Sequence, residues 1–203
     1  MKLEDCKIIL ASGSPRRIKI LKDDGQNFQI IKPDCAENIH LQLEPKQYVM
    51  ALALRKALSV KEALSNEAIS TLEQEPCTII IACDTIVAHK GKIIGKPRDR
   101  IDAFNILSSL KAEKHQVWSG VALINLQKNA KFTLVFNSVT DVYFKSYSEK
   151  NIWDYIDSGE PMDKAGAYAI QGDFGKYIDH IDGEYDNVVG FPYKDIKAKL
   201  LKL

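Results

Sequence analysis

Hydrophobic positions along this chain fall into short unbroken apolar runs and stripes at helical spacing, and together they predict a mixed α/β protein. An apolar run over 7–11 reads as a buried strand, broken by Ser12-Gly13-Ser14-Pro15. Ser14 as N-cap and Pro15 at the first helical position then open a helix that ends at Gly25. Residues 28–32 alternate as a second strand, and 33–38 form a loop. After Glu44-Pro45, the residues Tyr48, Val49, Leu52, Ala53 and Val60 make the stripe of a long helix. Residues 65–76 are polar, without periodicity, and read as a surface connection.

The run over 78–83 is a strongly apolar strand that ends at Asp84. Residues 85–89 and 92–94 flank Lys90-Gly91, the pattern of a hairpin. A helix over 98–110 turns Ala103, Phe104, Leu107 and Leu110 inward. Two long strands, 115–126 and 132–145, meet at a turn near Lys128-Asn129. Ser148 caps a helix that runs to Gly159, residues 165–171 are strand or loop, and a last helix starts after Pro192. No clean βαβ repeat emerges, so the expected sheet is mixed rather than doubly wound.

Composition narrows the functional classes. A chain of 203 residues fits one compact domain or two lobes sharing one core, and its 45% hydrophobic and 27% charged residues are those of an ordinary soluble protein. The net charge of +1 gives no global field for nucleic acid or an anionic membrane, so a polyanionic ligand would need a local cationic site. No apolar stretch suits a secretory signal or a membrane span. Cys6, Cys35, Cys77 and Cys83 lack C-x-x-C spacing and are expected to be reduced, partly buried thiols in a reducing compartment.

Several positions break local rules. Arg16 and Arg17 occupy the first turn of a helix, whose N-terminus is already partly positive. An anion held by backbone N–H groups, the Ser12 and Ser14 hydroxyls and both guanidiniums would resolve the conflict; exposed arginines on a solvated turn are the alternative. Neither arginine, on this reading, is needed for stability. Asp84, with Thr85 after it, places a carboxylate at the end of a buried strand, as a catalytic group or as a capping residue. Lys56 lies on the apolar side of its helix, either snorkelling or reaching into a cleft. Pro97 fixes Lys96 in an extended loop. The small residues of 164–170 allow close backbone approach before Gln171, whose amide could read a base edge. Neither the G-x-x-x-x-G-K-[ST] nor the G-x-G-x-x-G phosphate signature is present.

Taken in order, seven segments resemble the Maf family of nucleoside triphosphate pyrophosphatases. They are residues 10–17, Lys56-Ala57, residues 82–87, Gly95-Lys96-Pro97, residues 115–120, residues 167–172 and residues 187–192. The resemblance covers essentially the whole chain and implies one Maf-like domain over 1–203. The fold it implies is α/β, an elongated mixed β-sheet with helices in two lobes around a central cleft, as in inosine triphosphate pyrophosphatase. It implies Asp84 as the catalytic acid–base, with Ser12, Arg16, Arg17, Lys56, Thr85, Lys96 and Gln171 binding substrate. Glu37 and Asp84 would hold a divalent metal, Mg²⁺ or Mn²⁺. Arg16, Lys96 and Gln171 match the branch acting on dTTP and UTP rather than 7-methyl-GTP. The expected partner is a nucleoside triphosphate, not a nucleic-acid polymer or a membrane. The cytoplasm and a homodimer are also implied. A non-enzymatic nucleotide-binding regulator of cell division, or a pyrophosphatase for a modified purine, would keep many of the same residues. The chain departs from the family pattern at Ala36, Cys83, Glu184 and Phe191, and its 65–76 connection is long.

Overall fold

The computed structural model describes residues 1–39, 41–75, 77–128 and 131–202. Seven strands form a mixed sheet: β1 (Lys7–Leu10), β2 (Phe28–Ile30), β3 (Thr78–His89), β4 (Lys92–Ile94), β5 (Lys114–Asn125), β6 (Phe132–Phe144) and β7 (Ile178–Asp182). Their order is β2-β1-β3-β5-β6-β7, with β4 paired to β3. β1 runs parallel to β2 and β3, whereas β3–β4 and β6–β7 are antiparallel, so the expected mixed sheet is present. The α-helices are α1 (Pro15–Asp23), α2 (Pro45–Ala63), α3 (Asn66–Leu72), α4 (Arg100–Leu110), α5 (Glu149–Asp157), α6 (Tyr185–Val189) and α7 (Tyr193–Leu200). No helix among the described residues is long and apolar enough to cross a membrane.

Contacts divide the chain into two compact units. The first comprises Met1–Asp84, Ser119–Ser138 and Gly190–Leu203, and the second Thr85–Trp118 and Val139–Val189. In the first unit both faces of the sheet are covered, which is why its strands read as unbroken apolar runs. Ile8, Leu10, Ile79, Ile81, Val121 and Leu123 pack with Leu21 of α1 and Ile196 and Leu200 of α7. The alternate residues Ile9, Ile80, Ala82, Ala122 and Ile124 pack with Ala53, Ala57 and Val60 of α2. Strand periodicity of two thus assigns each residue to one of two cores.

The second unit has one core. Val87, Val117, Val142 and Phe144 pack against Ala103, Leu107 and Leu110 of α4 and Ile152, Tyr155 and Ile156 of α5. Phe104 and Trp153 stack at 4.7 Å to join the two helices. His115 is buried beside Tyr168, with Nε2 2.7 Å from the phenol oxygen. Burial first, and the neighbouring His89 second, push its pKa down to about 3, so the imidazole is neutral.

Three expectations need correction, and one pair of alternatives is resolved. β3 does not end at Asp84 but continues to His89, because residues 87–89 gain a partner in β4 across a turn with Lys90 and Gly91 at positive φ. The connection after Leu64 contains α3, started by Ser65, whose side chain accepts from Ala68 N–H at 3.1 Å. Residues 165–171, expected as strand or loop, are loop: Ala165–Ala167 is a 3-10 turn, with Gly166 at φ 73° and Ala167 at φ 59°. Cys6 and Cys77 are not free thiols but form a disulfide. The parallel register Lys7↔Thr78 sets them side by side although 71 residues separate them in sequence, so no local motif could announce the pair. Of the remaining expectations, the turn at Asn129 and the end of the connection at Pro76 lie outside the described residues.

Candidate active site

In the first unit, two groups of predicted residues meet along the chain segment that closes β1 and the one that carries β3. The bend after β1 is set by Ser12, which is buried and whose Oγ accepts from Ser14 N–H at 3.2 Å. Ser14 sits at the N-cap position of α1, but its side chain makes no capping bond. The first turn of the helix therefore has no capping hydroxyl from Ser14.

The two arginines of that first turn behave differently. Arg17 is bound inward: Nε donates to Gly190 O at 2.9 Å, and Nη1 donates to Ser12 Oγ at 3.1 Å and Cys83 O at 2.6 Å. It ties the ends of three chain segments together, which corrects the expectation that it is dispensable for stability. Arg16 is half-buried and makes no hydrogen bond or ion pair with the described residues. The conflict between arginine and helix dipole is thus met within the protein for Arg17, by carbonyl and hydroxyl acceptors, and left open at Arg16.

The second group is a charge cluster on α2 and β3. Lys56 is 7% exposed, and its Nζ lies 2.7 Å from Asp84 Oδ1 and 2.8 Å from Glu37 Oε1. Burial alone would push this ammonium down. Asp84 first, with Glu37 adding to it, outweighs burial and holds the pKa above the ordinary lysine value, so Lys56 is charged. The sequence placed Lys56 on an apolar stripe, and the structure shows how that is tolerated: a buried cation is paired by two carboxylates. The two carboxylates thus share one cation, the Lys56 ammonium. Among the described residues no group of three or more His, Cys, Asp or Glu is placed to hold a metal. A donor set of two hard carboxylates, completed by phosphate oxygens and water, suits Mg²⁺ or Mn²⁺.

Thr85 follows Asp84 along β3 and is where the chain enters the second unit. Lys96 and Gln171 also belong to that unit. Both are exposed, and neither makes a hydrogen bond or ion pair with the described residues. Gly166 N–H donates to Gly95 O at 3.0 Å, so the loop before Lys96 is anchored on the small-residue turn that leads to Gln171. Gly166 has no room for a side chain, since a Cβ there would stand 2.7 Å from Val87 Cγ2. Sequence reasoning did not single out Gly190, whose carbonyl accepts Arg17. Its only signal was its place in the last of the seven segments.

Comparison with known proteins identifies the family. The family model described as Maf-like protein matches residues 7–203. A dTTP/UTP pyrophosphatase of Caldanaerobacter subterraneus subsp. tengcongensis is 42% identical over 197 residues, spanning 97% of this chain and 87% of that protein. The dTTP/UTP pyrophosphatase of Clostridium perfringens is 41% identical, over 96% of this chain and 95% of that protein. Among solved structures, the Staphylococcus aureus Ham1 protein aligns at TM-score 0.42 and 15% identity, over 68% of this chain and 71% of that one, a likeness too partial to bear on the site. With a family match across nearly its whole length and relatives at about two-fifths identity over the same span, this chain belongs to the Maf family.

Proposed function

We propose that this protein is a nucleoside triphosphate pyrophosphatase that hydrolyses dTTP and UTP to the monophosphate and pyrophosphate. The observation that carries this reading is the Glu37–Lys56–Asp84 cluster, two carboxylates and a buried ammonium within hydrogen-bond reach. The names of the relatives support the substrate class.

In the proposed reaction a water oxygen attacks the α-phosphorus, the bond from that phosphorus to the α–β bridging oxygen breaks, and pyrophosphate leaves with the bonding electrons. Asp84 orients the water and takes its proton. Lys56 and Arg16 neutralise phosphate oxygens, and Ser12 and the N–H groups at the start of α1 shape the anion's seat. Arg17 holds that seat together from behind and contributes its field. Glu37 and Asp84 would hold a divalent metal, which when bound makes pyrophosphate a better leaving group. Gln171 and Lys96 are assigned to the base.

The test is pyrophosphate release from dTTP, UTP, CTP, GTP and 7-methyl-GTP, measured under one Mg²⁺ condition for the wild type and for Asp84→Asn. The expected result is turnover highest for dTTP and UTP, and a loss of about 10²–10⁴-fold in Asp84→Asn, beyond any loss of stability from unpairing the buried Lys56. Wild-type turnover in Asp84→Asn removes the assignment of Asp84. A preference for GTP or 7-methyl-GTP removes the pyrimidine assignment while leaving the reaction class.

A further inference from the structure

The two carboxylates of the charge cluster are held very differently. Asp84 lies within a 12-residue strand and its side chain is 13% exposed. Glu37 lies on the irregular stretch 33–39, which is neither helix nor strand, and its side chain is 68% exposed. A glutamate so placed has many loop conformations and rotamers open to it, and ordering it opposite Asp84 opposes a large entropy.

One helix holds that stretch. Arg55 Nη1 donates to Ala36 O at 3.0 Å and to Asn38 O at 2.8 Å, the carbonyls on either side of Glu37. One turn along α2, Ser59 Oγ donates to Asp34 O and accepts from Asp34 N–H, both at 3.1 Å. Lys56, between them in sequence, bonds the Glu37 carboxylate itself. Residues 55 to 59 of α2 therefore fix the loop backbone at three points and its acidic side chain at a fourth. A guanidinium suits this task, because it is always charged and its donors are rigidly directed.

We propose that Arg55 and Ser59 are positioning residues for the metal-binding carboxylate: they latch loop 34–38 to α2 so that Glu37 faces Asp84. This rests on the reading of Glu37 as a metal ligand. The latch does not touch substrate, and it acts through the loop backbone.

The experiment measures Mn²⁺ binding by electron paramagnetic resonance, with a non-hydrolysable dTTP analogue present, alongside Mn²⁺ activation of pyrophosphate release. It compares the wild type with Arg55→Gln, Arg55→Lys, Ser59→Ala, Glu37→Gln and the Glu37→Gln/Arg55→Gln double variant. Arg55→Gln is expected to weaken Mn²⁺ binding about tenfold, as loss of an outer-shell partner does, with kcat at saturating Mn²⁺ and KM for dTTP little changed. Ser59→Ala should weaken it less, and Arg55→Lys should recover part of the loss. The double variant should bind Mn²⁺ no more weakly than Glu37→Gln alone, since both changes act through one carboxylate. If Glu37→Gln weakens Mn²⁺ binding and Arg55→Gln and Ser59→Ala do not, the latch is wrong and the ligand reading stands. If Arg55→Gln weakens binding equally in the Glu37→Gln background, it acts elsewhere and the latch is also wrong. If Glu37→Gln leaves Mn²⁺ binding unchanged, Glu37 is not a ligand and both readings fall.

Discussion

Arg16 and Arg17 are adjacent in sequence and share the first turn of one helix, yet their surroundings give them different work. Arg17 donates to acceptors from three segments, two of them 66 and 173 residues away in sequence. Hydrogen bonds from a charged donor contribute on the order of 1.5–3 kcal/mol each, and removing this one would leave carbonyls of Cys83 and Gly190 without it. Arg17→Ala should therefore lower the melting temperature as well as turnover. Arg16→Ala removes a side chain with no partner among the described residues, and a like charge from a positive helix end. It should weaken competitive inhibition by inorganic triphosphate while leaving the melting temperature unchanged or slightly raised. Thermal melts and inhibition constants for the two variants check this split, and equal destabilisation by both would remove it. The sequence could show that two arginines sat badly against a dipole. It could not show which one the fold had already accommodated, because the acceptors are distant backbone atoms with no side-chain signature.

Elements were legible where burial imposed a period. Both-face coverage made β1 and the first half of β3 unbroken apolar runs, and the α2 stripe was visible because Val49, Leu52, Ala53 and Val60 are all buried, Ala53 and Val60 in one core. Legibility failed where hydrogen bonding rather than burial sets the boundary. The polar pair Asp84-Thr85 looked like a strand end, but the pairing of β4 with residues 87–89 carries the strand through it. α3 buries little beyond Leu72, so it leaves no stripe to read. Docking of α2 on the sheet was also hidden, although it places Lys56. A Cβ built at Gly120 of β5 would stand 2.1 Å from Val49 O and 2.6 Å from Met50 N, backbone atoms that cannot rotate away. Gly120→Ala should thus displace α2 and cost on the order of 1–3 kcal/mol, the range for overpacking, with turnover falling as Lys56 moves. Gly95→Ala, with nothing within 4 Å of its Cβ, serves as the control for melting. A Gly120→Ala protein that melts with the wild type would show that the sheet and α2 pack less tightly than these distances require.

At the scale of the whole chain, the assigned residues sort by unit. Ser12, Arg16, Arg17, Glu37, Lys56 and Asp84 lie in the first, and Thr85, Lys96 and Gln171 in the second. Lys56, Asp84, Arg16 and Arg17 were legible because each strains a physical rule that needs a partner: a buried lysine, a carboxylate within an apolar run, arginines at a positive helix end. Glu37, an exposed loop residue, was legible only through the family resemblance. The second set was only weakly legible from the residues, since an exposed lysine and an exposed glutamine strain nothing, and its assignment leans on the family resemblance. The two assignments can accordingly fail separately, and the second carries the sharper prediction. Gln171 follows a turn built from small residues, where Gly166 and Ala167 take positive φ. Its amide both donates and accepts, which suits the alternating carbonyl and N–H edge shared by thymine and uracil but not the edge of cytosine. Replacing it by leucine keeps the bulk and removes both functions, leaving the base edge unmatched at about 1–3 kcal/mol. Gln171→Leu should therefore lower kcat/KM for dTTP and UTP by about tenfold, lower it less for CTP, and so narrow the gap between these nucleotides. Inhibition by inorganic triphosphate, which has no base, should be unchanged in this variant and weakened in Arg16→Ala. Equal losses for dTTP, UTP and CTP in Gln171→Leu, or weakened inhibition by triphosphate, would mean that Gln171 serves the phosphates or the fold instead of the base.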